Sequence, residues 1–316
     1  MLFLSMTCNQ TLTRLTDFYE SIFGCKTYKI SLDAGCTCPN RDGTKGTGGC
    51  IFCSQSGSGD FASDRNLSIR EQVEQGIKLV EPKVHGRTGE RHGKYIAYFQ
   101  NFSSTYGNAA ALLAKYRESL LCDDVEGLAV ATRPDCLNAD ILNGLAEISK
   151  SHFVQIELGL QTSNESTAGM INRCYTNQDY IDALKRIKEA SPNIHIVSHL
   201  IFGLPGETEK DMMDSVSFVV QHNKEASPTG NGQFFGIKIT VLYVLKNTAL
   251  ADLYQSGQYQ PLSQDEYFSL LQKALPLLPS NCIVHRLTGD PPKSQLLTPT
   301  WPTDKKRVLN ELKKIF

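Results

Sequence analysis

The chain has 316 residues, with 32 Lys and Arg against 33 Asp and Glu, so its formal net charge is −1. Its 41% apolar and 21% charged residues exclude disorder, which needs low hydrophobicity and high net charge. No global field draws it to DNA or anionic lipid, and the length allows about two domains or one α/β barrel with additions.

In chain order, Met1–Cys8 shows neither a basic leader nor a small-residue cleavage site. The longest apolar stretch, near Ile194–Leu204, is broken by His195, Ser198 and His199 and falls short of the roughly 18 residues a membrane helix needs. A cytoplasmic protein with no membrane contact is expected. Leu15–Phe23 predicts a short helix and Tyr28–Leu32 a strand. Asp33–Asp60 is a long loop rich in Gly, Thr and Cys. Loops beyond about 12–15 residues in a compact domain usually carry function.

Strand-like runs at Tyr95–Phe99, Leu128–Thr132, Phe153–Leu160, Ile194–Ile201 and Ile237–Tyr243 then alternate with helical patterns. The helices are expected at Ile69–Val80, Asn108–Leu120, Ala139–Ile148, Asp179–Glu189, Glu207–His222 and Gln264–Leu275. This alternation predicts βαβ units and a parallel sheet, either open and doubly wound or a partial barrel. Lys83–Lys94 and Asn223–Gly232 read as exposed loops. The pattern thins after Pro279, and Asp304–Phe316 predicts a basic terminal helix.

The chemistry concentrates in Cys38-x11-Cys50-Ile51-Phe52-Cys53, with Cys36 two residues upstream. Three thiolates can bind three irons of a [4Fe–4S] cluster and leave the fourth open to a small ligand. Four thiolates, including Cys36, would instead close a tetrahedral zinc site and make a non-enzymatic binding module. Cys36-x-Cys38 is one residue too short for a zinc knuckle, which favours the cluster.

The segments Tyr28–Cys53, Ala97–Tyr106, Ala131–Asp135 (ATRPD), Glu157–Thr162 (ELGLQT), Ile171–Arg173 and Ser198–Thr208 (SHLIFGLPGET) together resemble the YhcC/YtqA-like radical-SAM family. That family is related to the Elongator catalytic subunit and to oxygen-independent coproporphyrinogen oxidase. His285–Trp301 resembles the family's own C-terminal extension. The resemblance implies an α/β fold, a partial parallel (β/α)6 barrel, with a helical segment at 1–27, the radical-SAM core at 28–250 and an extension at 251–316.

It also implies cluster ligands Cys38, Cys50 and Cys53, with Cys36 an incidental thiol. Phe52 would shield the cluster and touch S-adenosylmethionine (SAM). Gln100 would lie near the methionyl amino group, Gln161 near the ribose, and Arg173 against the carboxylate, where a planar fork suits a planar anion. Ile201 and Gly203 would line the adenine. One electron from a flavodoxin or ferredoxin would cleave SAM to a 5′-deoxyadenosyl radical, which takes a hydrogen atom from the substrate. The Elongator likeness points to tRNA, and to the C5 side chain of the wobble uridine. A small-molecule substrate is the alternative.

Several polar positions have plainer readings. Glu207 should lie in a first helical turn, where the macrodipole favours it. Buried Glu157 needs a partner. Arg133 and Asp135 could pair. His199 and His285 read as satisfied core residues, and Arg286 matches a polar family position. The basic groups at Lys185–Lys188, Lys305–Arg307 and Lys313–Lys314 are either solvated helix faces or a phosphate track.

Overall fold

The computed structural model describes residues 12–57, 61–84, 93–226 and 234–316. The expected leaderless start at Met1–Cys8 lies outside them, as do most of the loops expected at Lys83–Lys94 and Asn223–Gly232. The elements run β1 (Thr13–Arg14), α1 (Leu15–Phe23), β2 (Lys26–Leu32), α2 (Ile69–Val84), β3 (Gly93–Phe99), α3 (Ala109–Leu120), β4 (Val125–Thr132) and α4 (Ala139–Ile148). They continue through β5 (Phe153–Gln161), α5 (Glu165–Met170), α6 (Asn177–Ala190), β6 (His195–Phe202), α7 (Glu209–Glu225), β7 (Phe235–Val241) and β8 (Val244–Leu245). The last are α8 (Ala249–Gln255), α9 (Gln264–Ala274), β9 (Cys282–Arg286), β10 (Leu296–Thr298) and α10 (Lys305–Ile315).

Strands β2 to β7 lie side by side in chain order and are all parallel. β9 and then β1 continue the same sheet in parallel, giving the order β1-β9-β7-β6-β5-β4-β3-β2. Neighbours in space are neighbours in sequence along β2–β7, so the sheet curls one way as a partial barrel. A doubly wound sheet would reverse its order partway. The two outermost additions, β1 and β9, are short strands with little periodic signal.

The outer face of the sheet packs under α2, α3, α4, α6, α7 and α9 in one large apolar core. Each large apolar side chain buried there contributes roughly 1.5–3 kcal/mol. The inner face is different. At its lower end α1 inserts Tyr19 and Phe18 against Ile96, Tyr98, Ala129 and Phe153. The Tyr19 hydroxyl donates to Gln155 Oε1 at 3.1 Å, and Phe18 lies 4.8 Å from the His195 ring. The predicted helix at Leu15–Phe23 thus plugs the N-terminal end of the strands.

The expected helix start at Glu207 is corrected. Helix α7 begins at Glu209, because Thr208 is its N-cap and forms a capping box with Asp211. Glu207 therefore precedes the helix, and its carboxylate accepts a hydrogen bond from Thr162.

Candidate active site

The loop after β2 is anchored before it reaches its thiols. Asp33 is 4% exposed and accepts from the Gly35 amide (2.7 Å), Arg65 Nε (3.1 Å) and Asn101 Nδ2. Gln72 of α2 brackets the Asp33 backbone, accepting from its amide at 2.8 Å and donating to its carbonyl at 3.2 Å. From Cys38 the chain turns at once: the Arg41 amide bonds the Cys38 carbonyl at 2.8 Å, and the Lys45 amide bonds the Pro39 carbonyl at 2.8 Å.

The return limb depends on Gly49. Its φ is +80°, and a Cβ there would lie 2.8 Å from Arg41 Nε. Its amide bonds the Asn40 carbonyl at 2.8 Å, and the Cys53 amide then closes a tight turn on the Cys50 carbonyl at 3.0 Å. Asn40, fully buried, donates to the Asn172 carbonyl and approaches Cys50 Sγ at 3.8 Å. The far side of the loop is held by Ile51, whose amide bonds the Ile171 carbonyl at 3.2 Å and whose carbonyl accepts from Leu250 at 2.9 Å.

Cys38, Cys50 and Cys53 are thus folded onto one another, all half-buried and unpaired by disulfides. A hydrogen bond from Cys50 holds the Cys53 thiol below its ordinary value against burial, with help from the Arg41 guanidinium, and keeps Cys50 high. Burial raises Cys38, while the Asn40 amide and Arg133 act against it. Arg133 Nη1 stands 3.8 Å from Cys38 Sγ. The loop therefore gathers three thiols beside two guanidinium groups, a setting suited to thiolate charge.

Cys36 takes no part. It is 5% exposed in the main core, and burial pushes its thiol up to about 11. Among the described residues no three His, Cys, Asp or Glu side chains surround a point that could hold a single metal ion.

At the C-terminal ends of the strands opens a cavity of about 370 Å³ lined by residues from every strand from β2 to β7 and by Arg286 of β9; the three thiols do not line it, and Arg133 joins it to Cys38. Parallel α/β folds gather ligands at this end. Gln100 and Gln161 line it, as expected, with Arg133, Tyr175, His199 and Lys238. Gln161 has φ +68°, which turns its side chain back over Gly159, and its buried Oε1 has no hydrogen-bond partner among the described residues. Phe52 and Ile201 meet in a second apolar cluster with Ile171, Leu204 and Tyr259.

Four of the expected contacts, Phe52, Arg173, Ile201 and Gly203, do not line the cavity. Gly203 is roofed by Leu262, and its carbonyl accepts from the Tyr259 hydroxyl at 2.8 Å. Arg173 is fully buried, and its N–H groups are all committed: to the carbonyls of Tyr175 (2.9 Å), Leu160 (2.9 Å) and Thr162 (2.7 Å), to Glu165 and to Asn177. A guanidinium has five such groups, so Arg173 has none left for a ligand carboxylate. It ties the turn after β5 to the sheet. Its neighbour Cys174 sits at φ +59° without a Gly.

Below the cavity lies a polar layer. Glu157 bridges Lys29 (2.6 Å) and Lys238, and also accepts from the Tyr98 hydroxyl at 2.6 Å. Burial alone would raise the Glu157 carboxyl, but Lys238 and Lys29 hold it well below its usual range. His199 bonds Thr240 at 2.9 Å, and burial with Lys238 nearby pushes it down to about 3, so the ring is neutral. His285 pairs with His195 at 2.9 Å deep in the barrel. Arg133 and Asp135 do form the ion pair expected of them, at 2.9 Å, joined by Lys45.

The sequence model of the Radical SAM superfamily matches residues 42–219, and that of the Radical_SAM C-terminal domain matches residues 235–316. The chain belongs to the radical SAM superfamily. YtqA of Bacillus subtilis is 39% identical over 292 residues, 92% of this chain and 85% of that protein. A tRNA-2-methylthio-N(6)-dimethylallyladenosine synthase of Clostridium perfringens is 26% identical over 208 residues, 65% of this chain and 40% of that protein. The solved Elp3 of the archaeon Methanocaldococcus infernus superposes with a TM-score of 0.61 at 14% identity, covering 92% of this chain and 64% of that one, which fixes the shared fold.

Radical SAM enzymes use a [4Fe–4S] cluster and SAM, and they need a reductant. The residues of this radical SAM protein fit those groups: three folded-together thiols are joined through Arg133 to a polar cavity, on whose lining residue Gln161 a buried acceptor has no partner among the described residues. No helix among the described residues is long and apolar enough to cross a membrane. Sequence reasoning passed over Asn40, Arg41 and Lys238. The last left a trace, a lone Lys inside the apolar run Phe235–Val241.

Proposed function

We propose that Cys38, Cys50 and Cys53 hold the [4Fe–4S] cluster, that SAM occupies the adjoining cavity, and that the enzyme remodels the C5 side chain of a tRNA wobble uridine. The observation that carries the cofactor assignment is Arg133, which lines the cavity at the strand ends and stands 3.8 Å from Cys38 Sγ of the three-thiol loop. When bound, the reduced cluster and SAM supply one-electron chemistry, reductive cleavage of the sulfonium and hydrogen-atom abstraction from substrate.

The protein binds, orients and excludes water. Arg41 and Arg133 offset thiolate charge. Phe52 and Ile201 form an apolar wall that keeps water from the thiol loop. Gln161 Oε1 accepts from a ribose hydroxyl, and Gln100 receives the methionyl amino group. The core at 28–250 carries these groups, while Gly289, Asp290 and Lys305 of the extension at 251–316 close the cavity's rim. A flavodoxin or ferredoxin in the cytoplasm delivers the electron.

Two observations support tRNA. One relative is named for a reaction on a tRNA base. Helix α10 starts at the cavity rim with Lys305, Lys306 and Arg307, and Lys306 and Arg307 are exposed. The group at Lys185–Lys188 lends little: Lys188 is buried on the Ile194 carbonyl, and Arg186 donates to the Leu137 carbonyl. Nucleoside mass spectrometry of tRNA from a deletion strain tests the reading. A changed wobble-uridine substituent, restored by the wild type and not by Cys50→Ala, is expected. An unaltered profile would leave a small-molecule substrate as the better reading.

A further inference from the structure

The floor and rim of the cavity hold more positive than negative charge. At the floor, Lys29 and Lys238 share one carboxylate, Glu157, and these three side chains are 16%, 12% and 4% exposed. At the rim, Arg286 and Lys305 share one carboxylate, Asp290, at 3.6 and 3.2 Å. Arg133, which also lines the cavity, shares Asp135 with Lys45 on the thiol side. His199 is neutral and hydrogen-bonded to Thr240, so it neither adds to nor offsets the excess. Each of these three groups therefore sets two cations against one carboxylate, and two of the three hold cavity-lining residues of β7 and β9, Lys238 and Arg286.

An unmatched buried cation is costly to keep. Burial, offset in part by Glu157 and reinforced by Lys29 and Arg286, pushes Lys238 down to about 7. Lys238, which lines the cavity, donates to Glu157 and to the Tyr98 hydroxyl, two partners for the three N–H groups of its ammonium. Lys238 and Arg286 are register partners on β7 and β9, so their side chains leave the same face of adjacent strands.

We propose that Lys238 and Arg286, with Lys305 at the rim, form a receptor for a carboxylate carried by the substrate. This rests on the reading of the cavity as the SAM and substrate site, and adds which substrate chemistry it selects. The receptor lies on β7 and β9, whereas the thiols meet Arg133 at the end of β4. On this proposal the methionyl carboxylate would be left to the thiol side, where Arg133 stands 3.8 Å from Cys38 Sγ, and the two anions would be held by different residues. The substrate carboxylate could be borne on a wobble uridine as a carboxymethylaminomethyl group or on a free small molecule.

The test uses anaerobically reconstituted holoenzyme with SAM. Binding is measured for an anticodon stem-loop carrying 5-carboxymethylaminomethyluridine, for the same stem-loop carrying 5-aminomethyluridine, and for the free carboxylated nucleoside. The wild type should prefer the carboxylated stem-loop by about 10–100-fold, as a charge-assisted pair implies. Arg286→Gln, at a half-exposed residue that does not endanger folding, should reduce this to within about threefold, and Lys238→Met should do the same. Iron content and SAM affinity should stay at wild-type levels in both. Equal wild-type affinity for the two stem-loops would overturn the proposal, as would a preference untouched by Arg286→Gln. A parallel loss of SAM affinity in both variants would also overturn it and assign these cations to SAM. A preference shown equally by the free nucleoside would support the receptor and count against tRNA as its source.

Discussion

Gln161 folds back over Gly159: a Cβ added to Gly159 would stand 2.6 Å from Gln161 Nε2. The left-handed backbone at Gln161 ends β5, and the residue lines the cavity. Gly159→Ala should therefore act as an indirect Gln161 mutation. Both Gly159→Ala and Gln161→Ala should weaken SAM binding by roughly threefold to tenfold, the range of one neutral hydrogen bond. Equilibrium binding under anaerobic conditions checks this, and a normal affinity in Gly159→Ala would show that the amide does not touch SAM.

Cys38→Ala, Cys50→Ala and Cys53→Ala should each reduce iron from about four per chain to near zero and bleach the cluster's visible absorption. Cys36→Ala should keep both. Its cost should be confined to stability, about 1 kcal/mol for a small core void. Iron analysis with denaturant unfolding separates the two outcomes.

Arg173→Ala should behave as a folding mutation. It removes charge-assisted bonds to three carbonyls, Glu165 and Asn177 in a fully buried place. A loss of about 3 kcal/mol or more is expected, because the carbonyls are left without donors. The decisive measurement is unfolding of the cofactor-free chain. Wild-type stability there with weak SAM binding would restore Arg173 to a ligand role.

Glu207 predicts a pH dependence of stability. Burial pushes its carboxyl up to about 7, while the Thr162 hydroxyl acts the other way. The folded chain thus holds a proton that the unfolded chain has released above about pH 4.5, so this group's contribution falls as pH rises from there to 7. The effect is no more than about 3 kcal/mol, and less where water reaches the carboxyl. Glu207→Gln keeps an acceptor for Thr162 and should flatten the decline between pH 5 and pH 8. Parallel denaturation curves for both proteins over that range would refute the assignment.

If α10 meets tRNA phosphates, Lys306→Ala and Arg307→Ala should each lower the salt slope of tRNA binding by about one unit. Lys188→Ala should leave the slope alone and lower stability, since its ammonium is buried on the Ile194 carbonyl. A slope that ignores Lys306 and Arg307 would remove α10 from the interface.

The parallel βα series and the cysteine loop were legible in the linear chain because both are local. Alternating apolar runs set β2–β7, and Leu15–Phe23 and Ala139–Ile148 match their helices end to end. The three cysteines lie within sixteen residues, so spacing alone could bring them together. Tertiary structure decided what depends on distant partners. Strands β1 and β9 are too short for a periodic signal and exist because distant strands pair with them, β7 with β9 and β9 with β1. Arg173 was chosen by its motif, yet its donors go to carbonyls that the fold delivers. Lys238 gave no motif at all; its meaning comes from Glu157 and Lys29, 81 and more than 200 residues away, which meet it only when the sheet curls. Local chemistry is written in sequence spacing, whereas the charge balance of a cavity is fixed by which strands close around it.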